Sequence, residues 1–389
     1  MQPFQRESAR APRSPRAGSC EAPAFPRPGA SARWPQRRIA VSRLLAALLL
    51  SGGRAEDIPA QDVPTTPAIV TPSRPPARAT VVIVEDAAAT VAFRPQLEVI
   101  DRMLARGLTN LTGQTTVSNA WAMLVRPDDV IGIKVHASPG PISGTRPAVV
   151  EALVRSLLGA GHSKNRLVIW DKHLVHLRLA GFTDLGERYG VRVAAASEGG
   201  WDTNHFYESP VVGTPLWGDQ EFGREGPTLG RRSYVSRLVS EGMTRIISVA
   251  PLLNHNLVGA SGHLLGLSLG SVDNALRFAN NPENLVVAVP EIYALPILGD
   301  RVVLNITDAL LAQYSGEQRM LLHYSGILNQ LWFSRDPVAL DVLAILELER
   351  QRRIDQAPRV TSDLTLYRNA TEVEIGVSDT NRIDVVWPR

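Results

Sequence analysis

A chain of 389 residues with 44% hydrophobic and 20% charged side chains can bury a sizeable core and exceeds the usual size of one compact domain, so two lobes are expected. Collagen-like, coiled-coil and wholly disordered classes are excluded. The net charge of +3 divides unevenly, because residues 1–54 carry ten Arg, no Lys and two acids, leaving +8 on the leader and −5 on residues 55–389; an acidic body has the wrong sign for a phosphate-backbone binder, which argues against nucleic acid as a partner.

In chain order, residues 1–36 are rich in Arg, Pro, Ser and Ala without apolar periodicity and are expected to be disordered. Arg37-Arg38, a short apolar stretch at 39–50 interrupted by Arg43, and Gly53-Arg54-Ala55 then have the layout of a signal peptide, with the paired arginines pointing to twin-arginine export into the periplasm. The first 30 or so residues read as an over-long leader. The apolar run is well short of the roughly 20 residues that a spanning helix needs, so no transmembrane segment is expected in the mature chain. The one cysteine, Cys20, lies in this leader. A mature chain without cysteine forms no disulfide and no thiolate zinc site, and no iron–sulfur cluster is expected. Six prolines in 56–79 indicate an exposed, semi-rigid linker.

The body begins with a strand at 80–85 (TVVIVE) and a helix over 94–108. The clearest unit follows: strand 130–135 (VIGIKV), amphipathic helix 147–158 and strand 167–170 (LVIW). This is a right-handed βαβ crossover, so the two strands are parallel. A helix over 175–189 and a strand at 191–195 continue the alternation. Residues 198–230, with Trp201, Asp202, Trp217, Asp219 and Glu221, read as a long, ordered surface excursion. Then come strand 244–249, a Gly-rich segment at 251–274, strand 301–306, a hairpin-like stretch at 320–333 and helix 337–350. An antiparallel tail is expected from strands near 372–376 and 382–386. The class is α/β: a mostly parallel sheet with flanking helices, in two lobes (80–240 and 241–389) around a cleft.

Ligands of open α/β sheets bind beyond the carboxyl ends of the strands. Those ends carry Lys134 and His136, then a small-residue loop running to Thr145; Asp171, Lys172 and His173; Asn254, His255 and Asn256, followed by Gly262 and His263; and Thr307 and Asp308. The loop before helix 147–158 offers a helix N-terminus suited to an anion. His173 and His176 stand three residues apart, a spacing that could share a metal but lacks a carboxylate. Lys134 could equally be a solvated edge lysine, and Asp171 and Asp308 could cap helices. No phosphate-binding GxxxxGK[ST], post-strand GxGxxG, HExxH or GxSxG is present.

Residues 131–172, 244–274, 304–311 and 331–344 together resemble the DUF362 family, a domain of unknown function. The resemblance covers nearly all of 80–350. It matches Lys134, Thr145, Pro147, Asp171, His255, Gly259, Gly262, Asp308, Ser334, Asp336, Pro337 and Asp341. Two family lysines are replaced: Leu252-Leu253-Asn254 stands where Lys commonly precedes His, and Leu265-Gly266 where Lys-Asn is common. The family's layout is in turn distantly similar to that of the lactate-racemase group, which uses Lys and His in a cleft between α/β lobes.

These readings lead to an exported enzyme acting on a small anionic partner, or alternatively a periplasmic ligand- or metal-binding protein without chemistry. In the enzyme reading Lys134 anchors the anion or donates a proton, His255 or His263 is the general base or a metal ligand, and Asp171 and Asp308 orient them. Thr145, Lys172, Asn254, Gly262 and Arg335 are the expected substrate contacts. Any cofactor, the substrate and the oligomeric state are left open.

Overall fold

The computed structural model describes residues 78–211, 230–358 and 360–388, which fall in one compact unit, Ile69–Arg389. The expected signal peptide with Cys20, nearly all of the Pro-rich linker, and Trp217, Asp219 and Glu221 lie outside the described residues.

The β-branched runs become strands. β1 (Ala79–Glu85) is followed by a small hairpin of β2 (Thr90–Val91) and β3 (Arg94–Pro95). Next come β4 (Ile131–Val135), β5 (Leu167–Asp171) and β6 (Arg192–Ala195), and then a separate ribbon made of β7 (Trp201–Glu208) and β8 (Arg232–Ser236). β9 (Arg245–His255), β10 (Gly259–Ala260), β11 (Val302–Gln313), β12 (Ser325–Ser334) and β13 (Ile383–Val386) follow. The main sheet runs β13-β1-β12-β11-β9-β4-β5-β6, with β10 folded back on β9. Strands β11, β9, β4, β5 and β6 are mutually parallel, while β12 runs antiparallel to both its neighbours. This is the expected α/β fold with a mostly parallel sheet.

Burial on both faces explains the strand sequences. Val82 and Val84 of β1 face a core formed with Ile100, Met103 and Leu104 of helix Leu97–Thr112 and with Val150 and Leu153 of helix Pro147–Gly159. Val81 and Ile83, one residue out of phase, face the opposite core. There they join helices His263–Ser271, Pro282–Tyr293 and Pro337–Ile354. The period of two in the strand assigns neighbours to different layers.

Several expectations are corrected. Strands from both proposed lobes share one sheet, with β1 lying between β12 and β13, so the division at 240 separates no layers. The tail is parallel rather than antiparallel: Ala79 pairs with Ile383 and Val82 with Val386. Residues 372–376 form no strand, because they close helix Thr365–Glu372 in a turn, with Glu374 at a left-handed φ of 62° and Ile375 N on the Ala370 carbonyl at 2.9 Å. The helix expected over 175–189 is two, Leu174–Leu179 and Phe182–Tyr189, broken where Gly181 takes a left-handed φ of 88°. Strand 244–249 continues to His255; Pro251, which has no N–H to give, sits where the ladder to β11 shifts register. The segment 251–274 then contains β10 and helix His263–Ser271 rather than only loop.

Candidate functional site at the carboxyl edge of the sheet

Ile131, Ile133 and Val135 of β4 fill the core on one face, so the alternation turns Lys134 to the other, with His136 next in phase. Lys134 pairs with Trp170 in the parallel ladder, which brings its Nζ to 2.9 Å from Asp171 Oδ1 at the end of β5. A second Nζ proton goes to the Val135 carbonyl at 2.7 Å. Asp171 is shared further, accepting from the backbone N–H of Ala137 and of Lys172, each at 2.8 Å. This carboxylate therefore ties together the loops leaving β4 and β5. Burial works to raise its pKa, but the Lys134 charge, with His136 and the Ala137 N–H, outweighs burial and holds it below the usual carboxylate range. Helix His263–Ser271 lies so close that a Cβ at Gly270 would be 2.6 Å from Lys134 Cε. Glycine there is what lets the lysine pass.

Beyond this pair lies a cavity of about 400 Å³ that Lys134, His136, Asp171, Lys172 and His255 all line. Four imidazoles, those of His136, His173, His176 and His255, face it, and Asp171 is the one carboxylate among the described residues of its wall. His136 is half-buried, and its Nε2 is fully covered with no hydrogen-bond partner. Burial, only partly offset by Asp171, pushes this ring down to about 4, so it is neutral near pH 7. His255 Nδ1 accepts from Leu257 N–H at 3.3 Å, which leaves the ring proton on Nε2. Burial lowers this histidine too, against the opposing charge of Glu317. His173 and His176 meet edge to face, with centroids 5.4 Å apart. Among the described residues no three His, Cys, Asp or Glu side chains are placed to hold a metal ion.

Of the residues expected from sequence, Lys134, Asp171, Lys172 and His255 thus converge, and six others do not. His263 is 1% exposed, its Nδ1 on Ser248 Oγ (2.8 Å) and its Nε2 on Thr307 Oγ1 (3.1 Å). It is locked in the core between β9 and β11, neutral, and shares no ligand position with His255. Asp308 receives Arg146 Nη1 at 2.7 Å and Arg146 N at 2.9 Å. The N-terminus of helix Pro147–Gly159 thus already holds its anion. Thr145 closes the loop, accepting from His136 N (2.9 Å) and donating to the Val249 carbonyl (2.7 Å). Asn254 shapes the turn after β9 by accepting from Glu317 N at 3.0 Å. Gly262 lies against the Asp341 carboxylate. Arg335 is exposed and, among the described residues, reaches the Met123 carbonyl alone, at 3.5 Å.

Sequence reasoning placed His136 at the strand end without giving it a role; the signal was its two-residue spacing from Lys134. Gln318, which also lines the cavity and accepts from Ser138 Oγ, arrives on the β11–β12 connection and left no signal.

No protein-family model and no curated protein matches the chain. A solved protein from Thermotoga maritima is similar over 68% of this chain at 14% identity, with a TM-score of 0.36; the chain spans 60% of that protein's length.

Proposed function

We propose that the chain is an exported enzyme acting on a small anionic molecule held in the 400 Å³ cavity. The observation that carries the reading is the make-up of the wall: among its described residues two lysines and four imidazoles gather round one carboxylate, Asp171, that Lys134 already neutralises. Cationic side chains in low-dielectric walls draw anions in. The His136 ring, which lines the cavity and is neutral near pH 7, suits a proton acceptor, and the Nε2 proton of His255 suits a donor to an anionic oxygen. Lys134 becomes a positioning residue that fixes Asp171, not the anion's own contact. Membership of DUF362 is proposed on the same segments that bear the resemblance, and export on residues 37–55; N-terminal sequencing of the mature chain that found Arg33 would overturn the latter.

The test is thermal unfolding and calorimetry of the full chain with phosphate, lactate, pyruvate and oxalate. An anion held at a hundred times its Kd adds about 2.7 kcal/mol of stability, an effect that Lys172→Ala weakens. No stabilisation by any anion overturns the reading. A second reading, binding without chemistry, is favoured by the engagement of Lys134 and Asp171 with each other and with the loops. It predicts that His136→Gln leaves affinity intact and that the bound anion is recovered unchanged.

A further inference from the structure

Outside that cavity, one largely buried arginine stands without a hydrogen-bonding partner among the described residues. Arg352, on helix Pro337–Ile354, is 7% exposed, yet among the described residues its guanidinium makes no ion pair and no hydrogen bond. Arginine is almost never buried unpaired, because the lost hydration must be replaced. The other buried arginines obey this rule: Arg146 is bonded to Asp308 at 2.7 Å, and Arg277 reaches Ser233 Oγ at 3.1 Å. Glu349, the nearest acid on the same helix, is bonded instead to the backbone N–H of Ser362 at 3.0 Å.

Arg352 lines a cavity of about 630 Å³, within the usual range for small-molecule sites. Beside it in the wall, Ser362 Oγ is fully covered and has no hydrogen-bond partner among the described residues. Asp363, the one carboxylate among the described residues of the wall, is already occupied by Thr365, whose N is at 2.9 Å and Oγ1 at 2.6 Å, and by Arg368 at 3.5 Å. Tyr314 and Tyr324, edge to face with centroids 6.0 Å apart, supply an aromatic side. His255 is the one residue this cavity shares with the smaller one.

We infer that this second cavity binds an organic monoanion, its carboxylate on the Arg352 guanidinium and the Ser362 hydroxyl and its flat apolar body against Tyr314 and Tyr324. A guanidinium meets a carboxylate with two parallel charge-assisted bonds, and tyrosine faces take flat apolar groups. The inference does not rest on the function proposed for the smaller cavity.

The test uses 4-bromobenzoate with the full chain, read by calorimetry and by the anomalous signal of bromine in crystals, with uncharged 4-bromobenzamide as control. A bromine peak beside Tyr314 and Tyr324 is expected. Affinity should fall about ten- to a hundredfold in Arg352→Gln, less in Ser362→Ala, and not at all in Lys172→Ala. Equal binding of the benzamide overturns the inference, as does loss in Lys172→Ala with Arg352→Gln unaffected, or no binding at all. If Arg352→Gln does not fold, the bromine position in the unmodified chain and the retained affinity of Arg352→Lys decide.

Discussion

At the scale of single residues, burial reverses what sequence leads one to expect of Lys134. An edge lysine adds little to a core, and its removal should then cost little fold. Here it is 3% exposed and neutralises Asp171. Lys134→Ala leaves a buried carboxylate unpaired, so it should destabilise by about 3–5 kcal/mol. Lys134→Met combined with Asp171→Asn should recover much of that loss. Urea unfolding of the single and double variants measures the coupling, and additive losses would show that the pair is not the cause. Asp341 gives a pH signature. Burial, opposed by the N–H groups of Leu264 and His263, pushes it up to about 7, and burial pushes Asp336 to about 6. The folded chain therefore holds these protons more tightly than the unfolded chain, whose carboxyls titrate near about 3.9. The resulting stability is present below about pH 4 and is lost as pH rises towards about 7. The stability of the unmodified chain relative to Asp341→Asn should thus fall across that window and level off above it. A difference that grows with pH contradicts this assignment.

At the scale of elements, the motif 334–341, which carries part of the family resemblance, works as structural joinery. Ser334 Oγ donates to the Thr80 carbonyl at 2.7 Å and accepts from Asp336 N at 3.0 Å. Asp336 caps helix Pro337–Ile354 through Ala339 N (2.9 Å) and holds Val377 N (2.9 Å). Asp341 caps the neighbouring helix His263–Ser271 from outside, through His263 N (2.8 Å) and Leu264 N (3.0 Å). Gly262 has an ordinary φ of −86°, so only its closeness to Asp341 requires glycine. A Cβ there would overlap the carboxylate. Gly262→Ala should cost about 1–3 kcal/mol, and a variant as stable as the unmodified chain would show that the cap tolerates displacement.

Across the whole molecule, the C-terminal strand protects the fold's entry point. β13 pairs along β1 and fixes it further through Arg78 Nε to Asp384 Oδ2 at 2.8 Å. A chain ending at residue 378 exposes the β1 ladder, a template for pairing with other chains. Light scattering should show it self-associating, with a lower unfolding temperature. A monomeric truncation of unchanged stability would show that β1 needs no cover. No helix among the described residues is long and apolar enough to cross a membrane.

The local code is legible wherever a pattern repeats over short distance. The β-branched runs give β1, β4 and β5, and the parallel pairing of β4 with β5 follows from the helix between them. The approach of Lys134 to Asp171 and the presence of His255 at the same edge follow from strand ends alone. What sequence could not decide is which polar groups are already spoken for. His263 and Asp308 have the same chemistry as His255 and Asp171, but Ser248, Thr307 and Arg146 consume them from strands and helices far along the chain. Whether a buried side chain faces a cavity or a partner depends on contacts between distant segments, and no local pattern encodes those. The same holds for Arg352, ordinary on its helix and without an ion pair among the described residues because the nearby Glu349 is engaged by Ser362 N. Sequence alone determined the parallel centre of the sheet and the edge where Lys134, Asp171 and His255 gather; the packing of distant segments decided the sense of β13 and which of the polar side chains expected at that edge are engaged elsewhere.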